Sequence, residues 1–145
     1  MMTIRRYRDG DLEGVLRAWE EASQVAHSFL SPSFLAEERK SIHNVYLPEV
    51  ETWVAEVEGE VVGFVSLAGN EVGALFVRPA YHRQGIGGKL LDVAREKYPV
   101  LELEVFAANG IGRAFYDKYG FVQSGAYIHG DTGRRMLQMV LVPRD

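Results

Sequence analysis

The sequence has no cysteine among its 145 residues. That excludes disulfides, zinc sites built on thiolates and catalysis by a protein thiol. Any sulfur chemistry must therefore arrive with a ligand. No run of about 18 apolar residues occurs, so no membrane-crossing helix is expected. The opening stretch, MMTIRRYRDGD, lacks the apolar segment of a secretory signal, and the expected location is the cytoplasm. Basic charge is not in surplus either. The formal net charge is −4, which argues against a nucleic-acid binder that relies on a broad basic surface. It mildly favours cationic small partners through screened steering. His43, His82 and His129 share no metal-ligand spacing, so no metal site is expected.

The length and apolar content suit one domain spanning residues 1–145. Thr3–Tyr7 is a short strand candidate. Asp9 or Asp11 then caps a helix carrying Leu12, Val15, Leu16, Trp19 and Ala22 at helical spacing. SPSFLAEERKSIHNVYL predicts a second helix, with Ser31 as cap, Pro32 at the first helical position and Pro48 ending it. The period then changes. TWVAEV and VVGFVSLAG are apolar and β-branched and are joined by EGE, which predicts a hairpin. Strands follow at Glu71–Val77 and Val100–Val105, separated by a helix from Gly87 to about Tyr98. GIGRAFYDKYG reads as a helix stopped by Gly120, and FVQSGAYI and RMLQMVLV form a last hairpin around GDTG. A strand, helix and strand over 71–105 demand a parallel pair with a right-handed crossover, while the other pairings are antiparallel. The expected class is α/β (α+β): a mixed, mostly antiparallel sheet with a central parallel pair and helices on both faces.

YHRQGIGGKLL, at 81–91, places Gly85, Gly87 and Gly88 at the start of a helix. Each would cost roughly 1 kcal/mol inside a helix relative to alanine. The first turn of a helix leaves N–H groups without partners, and the helix dipole adds positive potential there. Removing Cβ atoms lets a bulky anion approach those groups, with Arg83 and Lys89 adding charge nearby. On the glycines alone, a flexible surface loop explains the run as well as a phosphate cradle does. The Walker pattern fails because Leu90 follows Lys89 and Arg83 holds the first glycine position. The dinucleotide pattern fails because Leu90 stands at its third glycine.

The wider stretch ALFVRPAYHRQGIGGKLL resembles the cofactor motif of the GNAT superfamily, the acyl-CoA-dependent N-acyltransferases. In that family a strand ending in V-x-P leads to a Q/R-x-x-G-x-G/A loop that opens a helix. Val77, Pro79, Gly85 and Gly87 match, and His82 departs, standing where the family prefers Gln or Arg. NGIGRAFYDKYGF resembles a second family signature through Asn109, Gly112, Tyr116, Gly120 and Phe121. The order of elements over nearly the whole chain agrees with the family fold.

The resemblance implies acetyl-CoA as cosubstrate and an amine as acceptor. Its pyrophosphate would sit on the backbone of Arg83, Gln84, Gly85, Ile86, Gly87 and Gly88. Its pantetheine arm would pair with strand backbone at Leu75, Phe76 and Val77, and Asn109 would bond the arm from the other side. Tyr116 matches the family's usual general acid, a phenol protonated at neutral pH. By periodicity alone it would be a core tyrosine beside Phe115 and Tyr119. Glu104 matches a position used as proton acceptor by several protein-acetylating relatives. Glu102 shares its side-chain direction, and both also read as solvated strand carboxylates. His27, near Phe29, falls in the connection that frames the family's acceptor pocket and is a second candidate base. Taken alone it reads more simply as a capping or core histidine. Glu20, Glu21, Tyr46 and Trp53 could line a pocket for a cation, although each singly suits a solvated or core position.

Two functions of different class follow. One is transfer of acetyl to a primary amine, on a small molecule or on a protein lysine or N-terminus, by direct attack in a ternary complex. The alternative is a non-catalytic sensor module that binds acyl-CoA without turnover. Tyr116 separates them, because a pure binder needs no phenol at that spacing. A monomer or a homodimer is expected, with no nucleic-acid or membrane partner.

Overall fold

A computed structural model of the chain describes residues 2–42 and 49–143. Among them, seven strands form one sheet in the order β1-β2-β3-β4-β5-β7-β6. The strands are β1 (Met2–Arg6), β2 (Glu51–Val57), β3 (Glu60–Ala68), β4 (Glu71–Val77), β5 (Leu101–Phe106), β6 (Val122–Ile128) and β7 (Arg135–Leu141). The helices are α1 (Leu12–Ala26), α2 (Pro32–Ser41), α3 (Ile86–Lys97) and α4 (Gly110–Tyr119). Only β4 and β5 run parallel; every other pairing is antiparallel. The expected mixed sheet and element order are present. Ser31 caps α2 by accepting from the Phe34 N–H at 3.1 Å. The expected continuation of α2 through Tyr46 to Pro48 lies outside the described residues.

The β2–β3 hairpin closes on Glu58 and Gly59, both at positive φ, 49° and 83°. Two left-handed residues make the turn whose twist matches the strands it joins. Alternation along β2 then divides the core between the two sheet faces. Val54 packs with Val15, Trp19 and Phe64 beneath α1. Ala55 packs with Leu90, Leu91 and Leu103 beneath α3. Trp53 falls on the α3 side too, between the Arg6 and Lys97 cations, and donates its indole N–H to Glu51 at 2.7 Å. It is therefore removed from any acceptor pocket on the α1 face.

Asp11 stands at the N-cap position of α1, yet its carboxylate does not cap that helix. It accepts the Arg8 N–H at 2.9 Å and both Arg5 terminal nitrogens at 2.8 and 2.9 Å. Arg5 also reaches Glu56 at 3.0 Å. Arg5 and the buried Asp11 carboxylate thus fasten β1, β2 and the start of α1 together, and the bonds from Arg5 hold Asp11 below the usual carboxylate range. Asp11→Asn should cost about 1–3 kcal/mol at pH 7, the scale of charge-assisted bonds. A depressed folded pKa stabilises above the unfolded value near 4 and ceases to do so as pH falls through the folded value. Urea denaturation should therefore separate wild type and variant at neutral pH and bring them together in strong acid. Equal stability at pH 7 would contradict this account.

Candidate active site

β4 and β5 pair at two positions only, Glu71 with Glu102 and Val72 with Leu103. Gly73 is then an extra residue in β4, because Ala74 pairs with Ser66 while Val72 already pairs with Leu67. Such a bulge bends and twists its strand. Beyond it β4 stays with β3 and β5 stays with β7, so the two parallel strands separate into a wedge. The Arg78 N–H points to β3, donating to Val62 at 2.8 Å. By strand alternation, the backbone groups of Leu75 and Val77 face the open side, toward β5. An extended amide chain can pair there as an added strand.

The wedge opens into a cavity of about 290 Å³. Its walls include Trp19, His27, Leu30, Phe64, Ser66, Leu75, Phe76, Phe106 and Met136, with Glu38, Glu104, Asn109, Tyr116 and His129 as polar groups. The structure thus brings Tyr116, Glu104, His27, Asn109, Leu75 and Phe76 to one space. None of the described lining residues is Lys or Arg. The glycine loop and α3's first turn lie at the C-terminal end of β4. The expected start of α3 at Gly87 moves back to Ile86, with Gly85 as its N-cap.

In that loop Arg83 and Gly85 both take left-handed φ, 66° and 78°. The first is unusual for a residue with a side chain. Together they turn the chain so that α3 begins with its N–H groups uncapped by any side chain. Gly87 has a further reason to be glycine. A Cβ there would lie 3.0 Å from the Phe115 ring, so its absence serves the packing of α3 on α4. At Gly88 the nearest group, Tyr119, would stand at 4.0 Å.

Asn109 caps α4, its Oδ1 accepting the Gly112 N–H at 2.8 Å. That bond fixes the amide orientation and turns Nδ2 toward His27 Nε2, 3.5 Å away. An amide nitrogen only donates, so Nε2 is the accepting nitrogen and His27 carries its hydrogen on Nδ1. Phe29, Phe76 and Phe106 meet the imidazole edge to face. Burial among them holds His27 down to about 4. Tyr116 packs against Phe115 and Phe121, and burial holds its phenol above the ordinary value, so it is protonated at neutral pH. Glu104 is solvent-exposed at the cavity wall and accepts the Tyr127 hydroxyl at 2.8 Å. Glu102 is not among the lining residues.

Other pocket expectations are redirected. The Glu21 carboxylate is taken by Arg17 at 2.8 Å and Arg78 at 3.0 Å, and Glu20 is exposed outside the cavity lining. Glu38, His129 and Tyr127 have roles that sequence reasoning missed. Glu38 comes from a helix with no obvious buried face, and burial against the cavity raises its carboxyl. His129 enters from the β6–β7 hairpin, edge-on to Phe34 and Phe106. In the same hairpin Arg134 donates to the Phe29 carbonyl at 3.2 Å, tying it to the α1–α2 connection. Alternation along β6 was the only available signal for Tyr127. Among the described residues no group of three His, Asp or Glu could hold a metal ion.

A sheet opened at one parallel pair, with a glycine loop at its end and a phenol beside the gap, defines a class of acyl-CoA-dependent transferases. The family model described as an acetyltransferase (GNAT) domain matches residues 48–123, a span that holds both the loop and Tyr116. The chain is 35% identical over 135 residues to the peptidyl-lysine N-acetyltransferase YjaB of Salmonella typhimurium, covering 92% of each chain. It superposes on the solution structure of apo YjaB from Escherichia coli with a TM-score of 0.89 at 29% identity, covering 99% of each. The fold is also that of the PaiA N-acetyltransferase of Thermoplasma acidophilum, solved with coenzyme A. That match has a TM-score of 0.81 at 20% identity, over 98% of this chain and 99% of that one. The chain belongs to the GNAT family of acetyltransferases.

The pH dependence of stability tests the His27 environment. A histidine depressed from 6.5 to about 4 takes up a proton in the unfolded chain first, so its contribution is lost as pH falls from above 6.5 toward 4. Between pH 7 and pH 5 this one group should remove about 2 kcal/mol. His27→Gln should flatten that part of the urea-denaturation profile. An unchanged slope would mean that His27 is solvated.

Proposed function

We propose that this chain transfers the acetyl group of acetyl-CoA to the side-chain amine of lysine in a peptide or protein. The observation that carries the reading is the open edge of β4 beside Tyr116. An extended ligand chain paired with that edge brings its end to a protonated phenol that takes no hydrogen-bond partner among the described residues. The acceptor follows from the relative named above and from the cavity's chemistry. Apolar walls at Leu30, Phe106 and Met136 suit an aliphatic stem, Glu38 and Glu104 suit its cationic end, and no Lys or Arg among the described lining residues repels it.

In this mechanism the loop from Arg83 to Gly88 and the first turn of α3 hold the diphosphate. Leu75, Phe76 and Val77 on one side and Asn109 on the other hold the arm. Holding both substrates together supplies much of the rate through proximity. The ammonium gives a proton to Glu104, directly or through water. The neutral nitrogen attacks the thioester carbon and a C–N bond forms. As the C–S bond breaks, the acylated nitrogen releases its second proton to solvent and becomes the amide. The sulfur leaves as thiolate and takes the Tyr116 proton, and solvent reprotonates the phenol. No protein nucleophile is needed, in keeping with the missing cysteines. Glu104 is favoured over His27 as proton acceptor because the Nε2 lone pair of His27 already faces Asn109 and its basicity is suppressed by burial.

Tyr116→Phe keeps the ring and its packing and removes one oxygen. Affinity for acetyl-CoA should stay within a few-fold while acetyl transfer to a lysine peptide falls by roughly 10², the usual scale for losing a general acid. Product mass spectrometry with detection of released thiol measures the rate, and calorimetry with CoA the affinity. Turnover at the wild-type rate would make Tyr116 a packing residue. A wild-type chain that binds acetyl-CoA but acetylates no lysine peptide would overturn the lysine acceptor and leave a small-molecule amine, a protein N-terminus or the sensor.

The proton acceptor is tested separately. Glu104→Gln should slow transfer by about 10- to 100-fold at neutral pH and recover toward alkaline pH, where free amine is abundant. Under the same conditions His27→Gln should keep the wild-type pH–rate profile. The reverse pattern would exchange their roles.

A further inference from the structure

His82 stands where the family prefers Gln or Arg, and its side chain makes a bond that the proposed chemistry does not use. Its Nε2 lies 2.8 Å from the Val77 carbonyl oxygen. A carbonyl only accepts, so Nε2 carries the hydrogen and donates it. The same peptide plane is held on its other side, where the Arg78 N–H donates to the Val62 carbonyl at 2.8 Å. The Val77–Arg78 peptide is thus gripped from both flanks, by β3 and by the loop. It is the last peptide of the open edge of β4. His82 itself closes the short 3-10 turn Pro79–Tyr81, donating its N–H to Pro79 at 3.1 Å. The next residue, Arg83, starts the left-handed kink that turns the chain into α3.

We propose that His82 is a positioning residue that sets the spacing between the two halves of the acyl-CoA site: the strand edge that pairs with the arm, and the loop that receives the diphosphate. The proposal rests on the acyl-CoA reading given above. A ligand bound at two linked places gains affinity only when the distance between those places matches its own. The bond from His82 to Val77 ties the loop back onto the strand end, so it fixes that distance. A carbonyl oxygen has two lone pairs, so the bond from His82 uses only part of the accepting capacity of the Val77 carbonyl.

The spacing matters only to a donor that spans both halves. Acetyl-pantetheine, which ends before the diphosphate, touches the strand edge alone. His82→Ala should therefore raise KM for acetyl-CoA by roughly five- to tenfold, the scale of one net hydrogen bond. It should leave kcat within about twofold and leave kcat/KM for acetyl-pantetheine unchanged. His82→Gln, whose amide N–H can reach the same carbonyl, should recover most of the acetyl-CoA affinity. His82 lies on the exposed loop, and circular dichroism of both variants checks that the fold persists. An unchanged KM for acetyl-CoA in the alanine variant overturns the proposal. So does an equal loss with both donors, which would mark a general packing role. If the wild-type chain fails to bind CoA by calorimetry, the functional reading itself falls and the proposal with it.

Discussion

The site depends on a failure of pairing. β4 and β5 are parallel neighbours for two residues and then part at the Gly73 bulge. Unpaired backbone groups inside a protein are costly, and sheets normally close or cover their edges. Here the edge is left inside the molecule, between two strands that each keep a partner on the other side. Its direction is set by ordinary alternation, and the length of the gap by the ends of β4 and β5. The cavity, the reach of α4 into it, and the approach of the glycine loop all follow from that opening. His82 takes one of the exposed carbonyls, which leaves the rest of the edge available to a ligand.

Around the gap, polar groups fall into two electrostatic settings. Tyr116 and His27 are enclosed by aromatic rings, and burial keeps both neutral at physiological pH. Glu104 lies where solvent reaches it, and Glu38, though its residue is exposed, has a carboxyl partly desolvated against the cavity. In the transfer proposed above, the phenol would give a proton to the departing sulfur and a carboxylate would accept one from the incoming ammonium. Asn109 joins the settings, since the bond that caps α4 also decides which nitrogen of His27 bears hydrogen.

Periodicity and punctuation made much of this legible. The change from helical to strand spacing after α2, the glycine stop at Gly120 and the glycine-opened α3 are local signals, and the element order followed from them. Tyr116 and Asn109 were legible because seven residues on one helix keep a fixed relation wherever that helix docks. Glu21 and Trp53 were misplaced for the opposite reason. Arg78 from the end of β4 reaches Glu21, which Arg17 also holds one turn away on α1, and Arg6 and Lys97 from other elements flank Trp53. Glu38, His129 and Tyr127 gave no local sign of a common destination, because α2 and the β6–β7 hairpin meet only through the fold.

Local chemistry therefore determined the kinds of elements, the glycine-opened loop and the absence of a protein thiol. Those depend on backbone sterics, on helix ends and on residue type, all of which are written within a few positions of one another. Tertiary structure alone decided where β4 leaves β5, which face each carboxylate shares with the gap, why Gly87 must be small, and that His82 reaches back to Val77. Each of those is a contact or a separation between segments, and its energy exists only after the sheet has brought them together.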